Sequence, residues 1–248
     1  MADAARPLVV VTRPRAESEE LARRLDTLGY DTQIEPLLEI VPRAVEPPPL
    51  DSYTGLVFTS ANGARAFANL SPVRRLPSYA VGAASAATLR ELGFQDVRAG
   101  PGDAAGLASL IAQAEPPGAR LLHLSGVVIA HDLAAPLAPA GVRIDRLILY
   151  EAVPAVRFSP AFVTALYACT VGAVLFFSAR TAEIFGTVAH RMALTERCCS
   201  MAALCLSRRV ADKAAALPWA RTAVAPEPTE EALLSLLPAS LPVGGNNG

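Results

Sequence analysis

Phe158-Ser-Pro-Ala-Phe-Val-Thr-Ala-Leu-Tyr-Ala-Cys-Thr-Val-Gly-Ala-Val-Leu-Phe-Phe-Ser-Ala179 runs for 22 residues without a charge, between Arg157 and Arg180. Its length and polarity fit either a membrane-spanning helix or two shorter elements of a globular protein, and the choice decides the fold. Pro160, Thr164, Tyr167, Thr170, Gly172 and Ser178 interrupt the run, and Ala173-Val-Leu-Phe-Phe177 at its end has the length and composition of a buried strand. A repeat then tips the balance. Shifted by 118 positions, Phe58, Ser60, Ala61, Ala64 and Phe67 fall on Phe176, Ser178, Ala179, Ala182 and Phe185. Val174–Ser178 thus stands opposite Leu56–Ser60, which argues against a membrane span.

The same grammar extends in both directions. Leu8-Val-Val-Val-Thr12, Leu56–Ser60, Tyr79–Gly82, Leu121–Ser125, Val174–Ser178 and Met201–Leu206 are short apolar runs, and a helical pattern follows each one. Gly29, Gly93 and Gly141 close three of those helices. Buried strands alternating with amphipathic helices predict parallel sheets covered by helices on both faces. Two further repeats group the units. With a shift of 112, Leu21, Leu25, Gly29 and Pro42 meet Leu133, Leu137, Gly141 and Pro154, while Ile34 meets Arg146 and does not agree. With a shift of 126, Leu107, Ser109, Leu110 and Ile111 meet Leu233, Ser235, Leu236 and Leu237. The expectation is an α/β chain of two similar domains, each a parallel sheet flanked by helices, joined by a two-stranded linker. The first domain is discontinuous, 1–34 plus 172–239, and the second covers 45–145. Residues 35–44 and 146–171 form the linker strands and connection, and 240–248 a disordered tail.

Composition narrows the function. The 248 residues are 52% hydrophobic and 18% charged, too apolar for a disordered chain. Basic and acidic residues number 22 and 23, which excludes the basic excess of a general nucleic-acid-binding surface. Only Lys213 among the basic residues is a lysine, a bias that suits a GC-rich genome better than a phosphate-binding design. Cys169, Cys198, Cys199 and Cys205 show no metal spacing and no CxxC, and read as reduced thiols. With no apolar signal core near Met1, the expected location is the cytoplasm.

Catalytic apparatus is sparse. His123 alternates within a buried strand and reads as a core or a catalytic histidine, whereas His131 and His190 fall on helical patterns and should face solvent. No metal spacing, P-loop, G-x-S-x-G or G-x-G-x-x-G is present. What recurs is a small hydroxyl residue between strand and helix: Thr12, Thr59-Ser60, Ser85, Ser125, Ser178 and Ser207. Each can simply cap a helix. As a set they also suit an anion site, because ligands of open parallel sheets bind beyond the carboxyl ends of the strands, where helix N-termini offer free N–H groups. Arg13 and Arg180 occupy matching corners. Tyr150 ends the run Arg146-Leu-Ile-Leu-Tyr150, where it can pack at a domain junction or serve as the proton donor of a site lacking histidine and carboxylate pairs.

These residues resemble the uroporphyrinogen III synthase family. The likeness rests on Val9-Val-Val-Thr-Arg-Pro14 with Gly29 and Ile34-Glu-Pro36, on Tyr53–Leu56 with Phe58-Thr-Ser-Ala-Asn62, and on Ala80-Val-Gly82 with Ser85-Ala86. Leu122-His-Leu-Ser-Gly126, Leu149-Tyr150, Phe176-Phe-Ser178 and Pro228-Thr229 complete it, from about Leu8 to Leu237. The resemblance implies a cyclising lyase of haem biosynthesis that closes hydroxymethylbilane, a linear tetrapyrrole with eight carboxylates, while inverting ring D. It implies loss of the terminal hydroxyl to an azafulvene, a spiro intermediate, then cleavage and reclosure. It also implies no metal and no cofactor; charge balance and the repeat add the expectation of no nucleic-acid and no membrane partner, and a monomer is expected. Tyr150 matches the tyrosine implicated in hydroxyl loss, and Ser85 a position near the product. Thr59, Ser60, Ala61, Gly126, Ser178 and Ala179 match main-chain positions lining the cleft; Thr12, Arg13, Asn62, Gly82, Ser125, Arg180 and Ser207 join them as candidate substrate contacts. Two departures stand out. Val210 occupies a position where the family has a hydroxyl, and Val127-Val-Ile follows Gly126 where a basic residue is common. A non-catalytic tetrapyrrole- or small-anion-binding protein of two domains is the alternative reading.

Overall fold

The structure, a computed structural model, describes residues 6–129 and 132–237; His131 and the 240–248 tail, on which expectations above fall, lie outside them. The chain begins with β1 (Leu8–Val11), α1 (Arg15–Thr27), β2 (Asp31–Ile34) and β3 (Leu38–Pro42). It continues through β4 (Gly55–Phe58), α2 (Ala61–Leu70), β5 (Ser78–Ala80), α3 (Ala83–Glu91), β6 (Val97–Ala99), α4 (Ala104–Ala114), β7 (Arg120–Gly126), α5 (Ala134–Leu137) and β8 (Arg143–Pro154). Then follow α6 (Pro160–Tyr167), β9 (Val171–Phe176), α7 (Ala179–Arg191), β10 (Ala202–Cys205), α8 (Arg208–Ala214), β11 (Arg221–Val224) and α9 (Glu230–Leu234). The 22-residue uncharged stretch is therefore an eight-residue helix and a six-residue strand. Among the described residues no helix is long and apolar enough to cross a membrane.

Contacts divide the chain into two units, Met1–Glu39 with Val153–Gly248, and Ile40–Ala152. The chain leaves the first unit along β3 and returns along β8. Leu37 accepts from the Ala155 amide, and the Arg43 amide donates to Leu149, so the two strands run antiparallel. The stretch 146–171, read from sequence as linker and connection, is occupied in part by α6, which packs Phe162 into the core of the first unit.

The central strands of each sheet are buried on both faces, which is why they read as unbroken apolar runs. In the first unit Val10, Val174 and Phe176 face α6, α7 and α8, while Val9, Val11, Ala173 and Leu175 face α1 and α9. In the second, Leu56, Phe58 and Leu122 pack against α2 and α3, while Val57, Tyr79 and Leu121 pack against α4 and α5. The repeat at 118 is a repeat of packing. Phe58 meets Phe67 edge-on at 6.1 Å, and Phe176 meets Phe185 edge-on at 5.4 Å. Such pairs stabilise by about 0.5–1.5 kcal/mol beyond the area they bury.

Strand order makes the kinship plain. The first sheet runs β11-β10-β9-β1-β2, and the second, read from its far edge, β6-β5-β4-β7-β8 before β3 is added. Within these five-strand sets the pairings are parallel. Matching β4 to β9 matches β7 to β1 as well, so the units are one sheet entered by the chain at two different points. Sequence and structure differ at α5. The pattern ending at Gly141 reads as a full helix, yet only four residues are α-helical, because Pro136 and Pro139 lack the amides that would propagate it. Gly141 still closes the segment in the left-handed region, at φ +70°.

Candidate functional site

In the second unit β4 delivers Thr59 and Ser60, β7 delivers Gly126, and β8 delivers Tyr150 to the carboxyl edge of the sheet. They line a cleft of about 370 Å³ together with Val81 after β5, the Gly102–Ala104 turn, and Val128 and Ile129 after β7. The cleft borders the N-terminus of α2, whose partial positive charge favours anions, and that of α4, where the Asp103 carboxylate already accepts the Gly106 amide at 2.7 Å.

The tyrosine is set by a defect in the sheet. Ser125 pairs with Ile148 but Gly126 with Tyr150, so β8 carries one extra residue there, a bulge that re-aims the side chain. Gly126 is required beneath it, because a Cβ at that position would lie 2.7 Å from the Tyr150 ring. The phenol shares a 2.8 Å hydrogen bond with Ser60 Oγ, which also accepts the Gly63 amide at 3.1 Å as the cap of α2. Beside that pair, Thr59 Oγ1 lies 3.0 Å from Nε2 of His123. The imidazole is 3% exposed; burial first, and the Arg146 charge second, hold its pKa down to about 4, so it is neutral at pH 7. Arg146 itself donates to Ser125 Oγ at 2.7 Å and to the Gly126 and Val127 carbonyls, fixing the wall that leads to Val128. A guanidinium thus reaches the segment after Gly126 from the neighbouring strand, although Val127-Val-Ile carries no basic residue of its own.

The other sequence candidates divide. Ala61 and Asn62 open α2, Gly82 precedes α3, and Ser85 sits in the first turn of α3, 7% exposed and outside the residues that line the cleft. In the first unit, Thr12 is fully buried and its hydroxyl donates to the Leu175 carbonyl. Arg13 is held by Glu17 at 2.6 Å and Glu230 at 2.9 Å, with its guanidinium 4.6 Å from the centre of the Phe177 ring. Ser178 caps α7 by accepting the Thr181 amide, with Ala179 and exposed Arg180 following it, and Ser207 precedes α8 without a side-chain cap. Simple capping by the recurrent hydroxyls therefore holds for Ser60 and Ser178 and not for Thr12, Ser125 or Ser207. Val210 packs into the core of this unit.

A second cavity, of about 520 Å³, lies between α7 and α8, where Lys213 meets Glu183 at 2.9 Å. It takes no residue from a strand end. Among the described residues no group of three His, Cys, Asp or Glu could hold a metal ion. Sequence reasoning misses Gly102, Asp103, Val81 and Arg146 as site residues. Gly100-Pro-Gly102 is visible in the sequence as a turn, but what brings it to the cleft is the β5–β6 pairing.

The model of a protein family described as "Uroporphyrinogen-III synthase HemD" matches residues 19–235. The chain belongs to the uroporphyrinogen-III synthase family. Among solved structures, uroporphyrinogen-III synthetase from Helicobacter pylori 26695 is 19% identical, with a TM-score of 0.62 over 94% of this chain and 98% of that one. That likeness is one of fold. A mutant uroporphyrinogen III synthase from the extremely thermophilic bacterium Thermus thermophilus is 21% identical, with a TM-score of 0.48 over 93% of this chain and 96% of that one. No curated protein matches in sequence. Membership of the uroporphyrinogen-III synthase family makes the chain a cyclising lyase of haem biosynthesis, acting on a small-molecule tetrapyrrole.

Proposed function

We propose that hydroxymethylbilane is closed at the cleft of the second unit, with Tyr150 as the proton donor. The hydrogen bond between Tyr150 and Ser60 carries the reading. Ser60 Oγ already accepts the Gly63 amide, so the two hydroxyls share two protons and only one is needed between them. Whichever way the pair is arranged, one proton remains to be given to the cleft. The hydroxyl of the substrate takes that proton and leaves as water with the C–O electron pair, generating the azafulvene. Ring D then attacks through its substituted α-carbon, the bond from that carbon to the ring C methylene breaks, and reclosure at the free α-carbon of ring D releases that carbon's proton, which restores the pair. The start of α2 suits a carboxylate of the substrate, and Val81, Val128 and Ile129 give the pyrrole faces an apolar wall.

Thr59, Ser60, Gly126 and Tyr150 are the cleft contacts of this reading. Ala61, Asn62, Gly82, Ser85 and Ser125 stand in a supporting role around them. At the corresponding edge of the first unit, Ser178, Ala179, Arg180 and Ser207 are the candidate contacts; Thr12 and Arg13 act there through structure. The reading takes the protein to act as a monomer in the cytoplasm, where the four free thiols suit a reducing compartment.

Product typing tests the proposal. Hydroxymethylbilane generated in situ is mixed with the protein, and the oxidised uroporphyrins are resolved into isomers I and III. Dominant isomer III is expected, and Tyr150→Phe is expected to slow substrate consumption about tenfold or more. Isomer I alone from folded protein would leave a non-catalytic binder. An unchanged rate in Tyr150→Phe would remove the phenol from the reaction.

A further inference from the structure

We infer that His123 is a positioning residue for the cyclisation, fixing the Thr59 hydroxyl as an oriented contact for the tetrapyrrole. The inference rests on the function proposed above and gives the Thr59 side chain a part in it. His123 lies in the middle of β7, between its register partners Val57 on β4 and Arg146 on β8. A buried polar ring there is costly unless it is hydrogen-bonded, and its hydrogen bond goes to a residue that lines the cleft. Apolar side chains fill the neighbouring positions Leu121, Leu122 and Leu124, so packing alone would be served by another leucine.

The ring also gives Thr59 a defined role. The charges facing it are Arg146, which disfavours a second cation, and Asp132, whose opposing influence is smaller. Being neutral, the imidazole has one N–H and one bare nitrogen. If Nε2 is bare, Thr59 donates to it and presents only lone pairs to the cleft, as an acceptor for pyrrole N–H groups. If Nε2 carries the hydrogen, it donates to Thr59, whose own proton is free for a carboxylate. Either tautomer ties the Thr59 oxygen to the ring and so fixes where that oxygen sits at the cleft wall. In a site that must hold ring D inverted before closure, an oriented hydroxyl acts through geometry.

A mutant cycle tests this, with kcat, KM and the isomer III fraction measured at matched concentrations of folded protein. Thr59→Val and His123→Leu are each expected to lower kcat about tenfold, with KM within about twofold, and to raise isomer I. The double variant should be no slower than the slower single, since both remove the same contact. Thr59→Ser and His123→Gln, which retain a hydroxyl and a hydrogen-bonding side chain, should recover to within about threefold of wild type. Should His123→Leu fail to fold, His123→Gln combined with Thr59→Val completes the cycle. Thr59→Val at the wild-type rate, losses that multiply in the double variant, or His123→Gln no better than His123→Leu would each overturn the inference while the function stands. A wild-type protein that yields no isomer III overturns both.

Discussion

At the scale of single residues the cleft depends on what is missing as much as on what is present. Gly126 contributes no side chain, and that gap lets the Tyr150 ring lie over the end of β7. Gly126→Ala would put a methyl 2.7 Å from the ring, so the ring or the strand must move. Overpacking of this kind costs about 1–3 kcal/mol. We expect a lower melting temperature and, because the phenol leaves Ser60, a fall in isomer III formation of about tenfold. A variant with wild-type turnover would show that the contact tolerates rearrangement without loss of chemistry. Thr12 and Thr59 illustrate how far a residue can be judged from its neighbours. Both close an apolar run and precede a helix, yet Thr12 commits its hydroxyl to Leu175 inside the sheet, and Thr59 lines the cleft. The deciding partner of Thr12 is 163 residues away, and the Glu230 that occupies Arg13 is 217 away, so no local pattern could separate them.

Among the elements, strands and the longer helices are legible in the sequence because burial on both faces leaves continuous apolar runs, and because caps mark where helices begin. Ala61–Leu70 is such a case, with Ser60 ahead of it accepting the Gly63 amide. The α6 helix is hidden inside an uncharged stretch with no amphipathic contrast, and α5 is overstated because periodicity does not register its prolines. The bulge in β8, and hence the aim of Tyr150, depends on a pairing that no spacing reports. One element boundary supports a direct test. Glu35, 3% exposed after β2, accepts the Ser159 amide at 2.7 Å and the Ser159 hydroxyl at 2.5 Å, where α6 starts. Glu35→Ala leaves that part-buried amide without its acceptor. The expected loss is about 1–3 kcal/mol in urea unfolding, and a loss below about 0.5 kcal/mol would mean that the contact holds nothing.

For the whole molecule, the relation between the two sheets has physical consequences. Ile40–Ala152 is continuous in sequence and has apolar clusters on both faces of its sheet, so a fragment of those residues should fold alone. Circular dichroism through a urea titration should give one cooperative transition for it; a featureless curve would mean that the unit needs the rest of the chain. The other unit has no such independence, since its strand β1 lies between β2 and β9. During synthesis β1 is made before the middle unit and β9 only after the whole of it. At roughly 5–20 residues per second, the first strand spends on the order of ten seconds with one apolar edge unpaired. The ribosome therefore releases a finished inner body before the outer one can close, and chaperone demand should fall on the Leu8–Val11 segment.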